Sequence, residues 1–157
     1  MLKANDVKIK SVPRTRLRFV IFIVVAAILG VVYGLWLKQS PSKILRINNQ
    51  SYHLAVAKTV TTQEKGLGSR TSMPINQGML FVFTDEAIRC FWMKDMRFSL
   101  DMVWLSADKK VVYIQSDVSP TTYPESFCPP ELAEYVIELN AGQASASNIH
   151  ISQTLSF

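Results

Sequence analysis

Leu100-Asp101-Met102-Val103-Trp104-Leu105, rejoined after Ser106-Ala107-Asp108-Lys109 by Lys110-Val111-Val112-Tyr113-Ile114-Gln115, is the stretch on which the fold turns. Two runs rich in β-branched and aromatic residues around a polar connection read as a β-hairpin. In the first arm Leu100, Met102 and Trp104 share one face, and Asp101, Val103 and Leu105 share the other. Working outward, residues 44–47 and 52–57 read as strands about an Asn48-Asn49-Gln50-Ser51 turn, and 79–83 and 135–139 as further apolar strands. Residues 90–96 read as a strand that carries unusual charge, and 149–157 as a closing strand. Thr61 with Glu64 three residues on fits the start of a helix, which Gly66 and Gly68 cut short. Residues 142–148 suit one helical turn, and the four prolines within 119–130 require an irregular loop. Many short strands and one or two brief helices predict a mainly β domain, a compact sandwich or a distorted barrel.

The 157 residues leave room for one such domain once residues 19–37 are set aside. Those nineteen residues contain no charge and give roughly 28 Å of helix at about 1.5 Å per residue, the thickness of a bilayer core. Lys3, Lys8, Lys10, Arg14, Arg16 and Arg18 precede them against Asp6 alone, so the positive-inside rule predicts a cytoplasmic N-terminus. The apolar core exceeds that of a cleaved leader, and bulky Trp36-Leu37-Lys38 ends it, which favours an uncleaved anchor. Gly30 and Gly34 have small-xxx-small spacing, a weak pointer to helix pairing. The expected organisation is a basic cytoplasmic 1–18, a single-pass transmembrane anchor 19–37, a linker 38–43 and an extracytoplasmic β domain 44–157.

The net charge of +5 belongs to the N-terminal flank. From Ile44 onward nine Lys and Arg face eleven Asp and Glu, which removes the basic surface a nucleic-acid partner would need. Cys90 and Cys128 fall in the exported part, where one disulfide closing a loop of about 38 residues competes with two free thiols. The two histidines stand apart, there is no Cys-x-x-Cys, and no calcium-loop spacing occurs, so no metal or cofactor is expected.

Chemistry concentrates in Phe91-Trp92-Met93-Lys94-Asp95-Met96 and the Leu100-Asp101 pair beyond it. With Glu64-Lys65-Gly66-Leu67, Arg70, residues 78–83 and Tyr135-Val136-Ile137-Glu138, these segments resemble the domain-of-unknown-function family 192, over most of the exported part. The resemblance implies a compact, mainly β domain and leaves the activity unsettled. The chain departs from the family pattern in having Gly66-Leu67-Gly68 for Gly-Leu-Met, and Asp95-Met96 for Asn-Thr.

Glu64, Arg70, Lys94, Asp95, Asp101 and Glu138 are the polar positions inside the matched segments. One reading is a binding cleft in which Glu64, Arg70, Lys94 and Asp101 surround a ligand with Trp92 as its apolar platform, Arg70 and Lys94 meeting anionic or hydroxyl groups. The other is a structural network, with Lys94 or Arg70 neutralising Asp101 or Glu138 under a loop. The function expected is binding of a small ligand or an envelope protein by a membrane-anchored domain, more a binder than an enzyme. An envelope hydrolase using Asp95 or Asp101 as acid or base, and an accessory subunit of a membrane assembly, are the alternatives.

Overall fold

The computed structural model describes residues 21, 23–30 and 41–157. Residues 21 and 23–30 are helical and apolar, and the exposed ones include Ile21, Ile23, Ile28 and Leu29. Among the described residues no helix is long and apolar enough to cross a membrane. The expected anchor 19–37 and its basic flank fall largely outside the described residues.

From Ser40 onward the chain forms a unit of its own. Its strands are β1 (Ser42–Ile47), β2 (Gln50–Ala57), β3 (Gln77–Ala87), β4 (Phe91–Trp92), β5 (Leu100–Leu105), β6 (Val111–Val118), β7 (Ser126–Phe127) and β8 (Ala133–Asn140). Helix α1 (Val60–Lys65), helix α2 (Gln143–Ala146) and a 3₁₀ turn at Pro120–Thr122 complete it. Six strands make one mixed sheet in the order β1-β2-β3-β8-β5-β6, while β4 and β7 pair separately. The domain is therefore mainly β as expected. It is not a closed barrel: among the described residues β1 and β6 are the outer strands of the sheet.

Local chemistry accounts for the connections. Asn48 adopts φ 52° in the two-residue turn between Ile47 and Gln50, a left-handed conformation that Asn tolerates and hairpin turns require. β2 and β3 run parallel, so the chain must cross over between them, and α1 makes that crossing. Its cap is Thr59, not Thr61: Thr59 and Thr62 satisfy each other's backbone N–H groups in a reciprocal box. Gly66, at φ 47°, then turns the chain out of the helix. The 149–157 strand does not form; a single bridge joins Lys110 to Thr154. Likewise the expected 90–96 strand shrinks to Phe91–Trp92.

Both faces of the large sheet are covered, which buries all six residues of β5. Leu54, Leu80, Val103, Leu105, Ile137 and Leu139 face Ala144 of α2 and the C-terminal segment on one side. Phe81, Met102, Trp104 and Val136 pack on the other against Leu67 and Met93. Tyr52 Oη shares hydrogen bonds with Gln50, Gln143 and Ser147, tying the first hairpin to α2.

Candidate functional site

Period-two alternation turns Phe91 of the β4–β7 ribbon toward the sheet and Trp92 toward the solvent-facing rim. Phe91 turns inward, edge-on to Phe81 with centroids 4.8 Å apart and to Trp104 at 5.9 Å. Trp92 turns outward and stays half exposed, its ring 5.9 Å from that of Tyr123. A ribbon of two residue pairs cannot hold itself together in water. Its register pairs Phe91 with Phe127, which brings Cys90 opposite Cys128, and these form a disulfide with Cα atoms 4.2 Å apart. The bridge left open by the sequence is thus the clasp of this ribbon. Trp104 Nε1 donates to the Arg89 carbonyl at 2.6 Å and fixes the approach to the same strand.

Between the ribbon, the C-terminal end of α1 and the sheet lies a cavity of about 590 Å³. Leu67, Phe81, Phe83, Phe91, Trp92 and Met96 give it an apolar, largely aromatic wall. Glu64, Lys65 and Lys94 are exposed and mark its mouth. Lys94 Nζ lies 5.8 Å from the centre of the Trp92 ring. Gly68 also lines the space; a Cβ there would meet the Lys65 carbonyl at 2.9 Å. This close approach lets Ser69 donate its N–H to the Asp95 carbonyl at 2.9 Å, joining the two walls of the mouth.

Glu138 is the cavity's buried polar residue. It stands on β8 between Met79 of β3 and Met102 of β5, 5% exposed, on the face it shares with Val136. Its Oε2 has no hydrogen-bond partner among the described residues. Burial pushes the carboxyl up from the usual carboxylate range to about 8. At neutral pH it therefore holds its proton.

Of the five expected ligand residues, the structure gathers Glu64, Trp92 and Lys94 at the cavity and leaves Arg70 and Asp101 out. Arg70 is exposed, beyond the Gly68 turn. Asp101 is buried on the opposite face of the sheet and its oxygens are engaged: Oδ1 accepts from Asp117 N–H at 2.9 Å, Oδ2 from Ala144 N–H at 2.8 Å. The first bond fills a bulge where β6 slips against β5, and the second caps α2, whose own N-cap is Gly142. The expected ionic network is absent among the described residues, where the ion pair is Arg89–Asp85 at 2.8 Å. Asp95 is exposed at φ 58°. No group of three or more His, Cys, Asp or Glu capable of holding a metal occurs among the described residues.

Residues 43–157 match the family model DUF192, described as "Uncharacterized ACR". The chain belongs to this family. No curated protein matches it. Two solved structures resemble the DUF192 domain closely in fold. One, from Sinorhizobium meliloti 1021, is described as a "putative transcription regulator"; it is 25% identical, with 73% of this chain and 92% of that one covered at a TM-score of 0.68. The other, a protein of unknown function from Novosphingobium aromaticivorans DSM 12444, is 21% identical, with 76% and 88% covered at a TM-score of 0.68.

Proposed function

We propose that this DUF192 domain binds a small organic ligand in the cavity between α1, the β4–β7 ribbon and the β3–β8 face. The observation that carries the reading is Glu138, a buried side chain that lines the cavity beside Phe81 and Phe91 and whose Oε2 has no hydrogen-bond partner among the described residues. Burying such a group unpaired costs free energy that Leu or Met at the same strand position would not. The cavity volume falls in the range of small-molecule sites, and its lining joins aromatic side chains to the polar Gln63, Glu64, Lys65, Lys94 and Glu138. In this reading the segment 19–37 is a single-pass anchor that displays the domain on the outer side of the membrane. The domain's acidic residues outnumber its basic ones, which argues against nucleic acid as its partner.

The test is to purify the full chain from its own membranes and identify retained small molecules by mass spectrometry. Trp92→Ala and Lys94→Ala are expected to keep the parent melting temperature and to lose the retained molecule. Unfolding of both variants, or no molecule retained by the parent protein, refutes the binding role. For topology, an impermeant thiol reagent applied to intact cells after reduction is expected to label Cys128. Labelling only after membrane rupture overturns the outward orientation.

A further inference from the structure

The charge arrangement of the cavity narrows the ligand class, an inference that rests on the binding role proposed above. A buried carboxyl is matched by a ligand that brings either hydrogen-bond acceptors for its proton or a positive charge for its anion. Phe81, Phe91 and Trp92 supply π faces that attract cations, while Arg89 already covers the Phe83 ring at 4.2 Å from its centroid. The protein keeps its own cations away from the carboxyl: Lys65 and Lys94 are exposed at the mouth, and neither makes an ion pair within 4.0 Å of Glu138. The other charged group lining the cavity is Glu64 on α1, and the strands flanking Glu138 present Met79 and Met102 beside it. No charged side chain of β3 or β5 flanks the carboxyl in the sheet.

We infer that the cavity is built for a small organic amine, its ammonium paired with the Glu138 carboxylate and its apolar stem held among Phe81, Phe91 and Trp92. The association balances simply. The carboxyl O–H bond breaks, the proton leaves to solvent, and the ammonium keeps all its hydrogens. Because the free carboxyl holds its proton below about pH 8, binding at neutral pH releases one proton. Affinity must then rise by about tenfold per pH unit up to that value. A neutral ligand that accepts from the protonated carboxyl would show the opposite trend, weakening as the proton is lost.

Three probes of similar size separate these cases: 2-phenylethylamine, 2-phenylethanol and 3-phenylpropionate, titrated calorimetrically into the full chain in detergent. The expected result is selective binding of the amine, tightening about tenfold per unit between pH 6 and 7.5, with about one proton released. Glu138→Gln is expected to weaken amine binding at least tenfold and abolish the pH slope. Trp92→Ala is expected to weaken amine binding while keeping the slope, so a loss specific to the carboxyl is separable from damage to the wall. Binding of the alcohol or the acid in preference to the amine, or amine binding unchanged in Glu138→Gln, overturns the inference and leaves the binding role standing. Failure of all three probes at millimolar concentration in a protein that still retains a native molecule also overturns it. Failure of all three without any retained molecule removes both.

Discussion

Glu138 and Asp101 are two buried carboxyls on adjacent strands with opposite fates. For Glu138 the folded group keeps its proton to about pH 8, whereas the unfolded one loses it near 4.5. Between those values the unfolded state binds fewer protons, so stability is full below about pH 4.5 and falls as pH rises toward 8. The slope approaches about 1.4 kcal/mol per pH unit for one group. Glu138→Gln removes this titration, and its melting advantage over the parent is expected to widen from pH 5 to pH 8. An advantage that stays constant across that range refutes the assignment. Asp101 is held by two backbone N–H groups, and Asp101→Ala strands both. A loss of about 2–4 kcal/mol in urea unfolding is expected, with no altered ligand retention in whatever fraction remains folded. The sequence placed both residues in matched segments and showed that each needed a partner. It could not tell them apart, because the partners of Asp101 are backbone groups at a bulge and at a helix start distant in the chain. Glu138 had a legible signal: of the two carboxyls in β8, Glu134 stands near the strand's start, whereas Glu138 lies between the apolar Ile137 and Leu139.

Among elements, the β4–β7 ribbon depends most on one covalent bond. Cys90→Ser with Cys128→Ser is expected to cost roughly 3–4 kcal/mol, the loop-closure entropy of about 38 residues. Chemical denaturation of the reduced and oxidised chains measures it, and equal midpoints refute it. Cys90 also lines the cavity, so loss of the bridge is expected to loosen ligand retention before the large sheet unfolds. The hairpin β5–β6, the strands β1, β2, β3 and β8, and the brevity of both helices were legible from alternation and glycine placement. Two boundaries were not. Thr59 outcompetes Thr61 as cap because Thr62 returns its hydrogen bond, which makes a reciprocal pair without a glutamate. Residues 93–96 leave the strand because Asp95 takes a left-handed conformation and Met96 N–H bonds back to the Met93 carbonyl at 3.2 Å.

At the scale of the molecule, hydrophobic alternation found the strands and missed their order. The parallel β2–β3 pair and the insertion of β8 between β3 and β5 are long-range pairings with no local signature. A sheet covered on both faces also explains why β5 reads as a continuous apolar run, interrupted only by Asp101. Amide exchange is expected to be slowest in β8 and β5, each bonded on both sides, and fastest in the edge strand β1. Equal protection of β1 and β8 would contradict this topology. The tightest joint lies on β3 between β2 and β8: a Cβ on Gly78 would come within 2.5 Å of the Glu138 carbonyl and 2.8 Å of Leu54. Gly78→Ala is therefore expected to destabilise by about 1–3 kcal/mol, measurable by urea unfolding.

Gly68 carries a different consequence. In the family pattern a methionine occupies this place, whereas here the backbone runs so close to Lys65 that a side chain would have to displace it. No side chain can be added at this turn without moving the Lys65 main chain, so the cavity wall here is bare backbone, and its outline is set by the path of the chain and not by a rotamer.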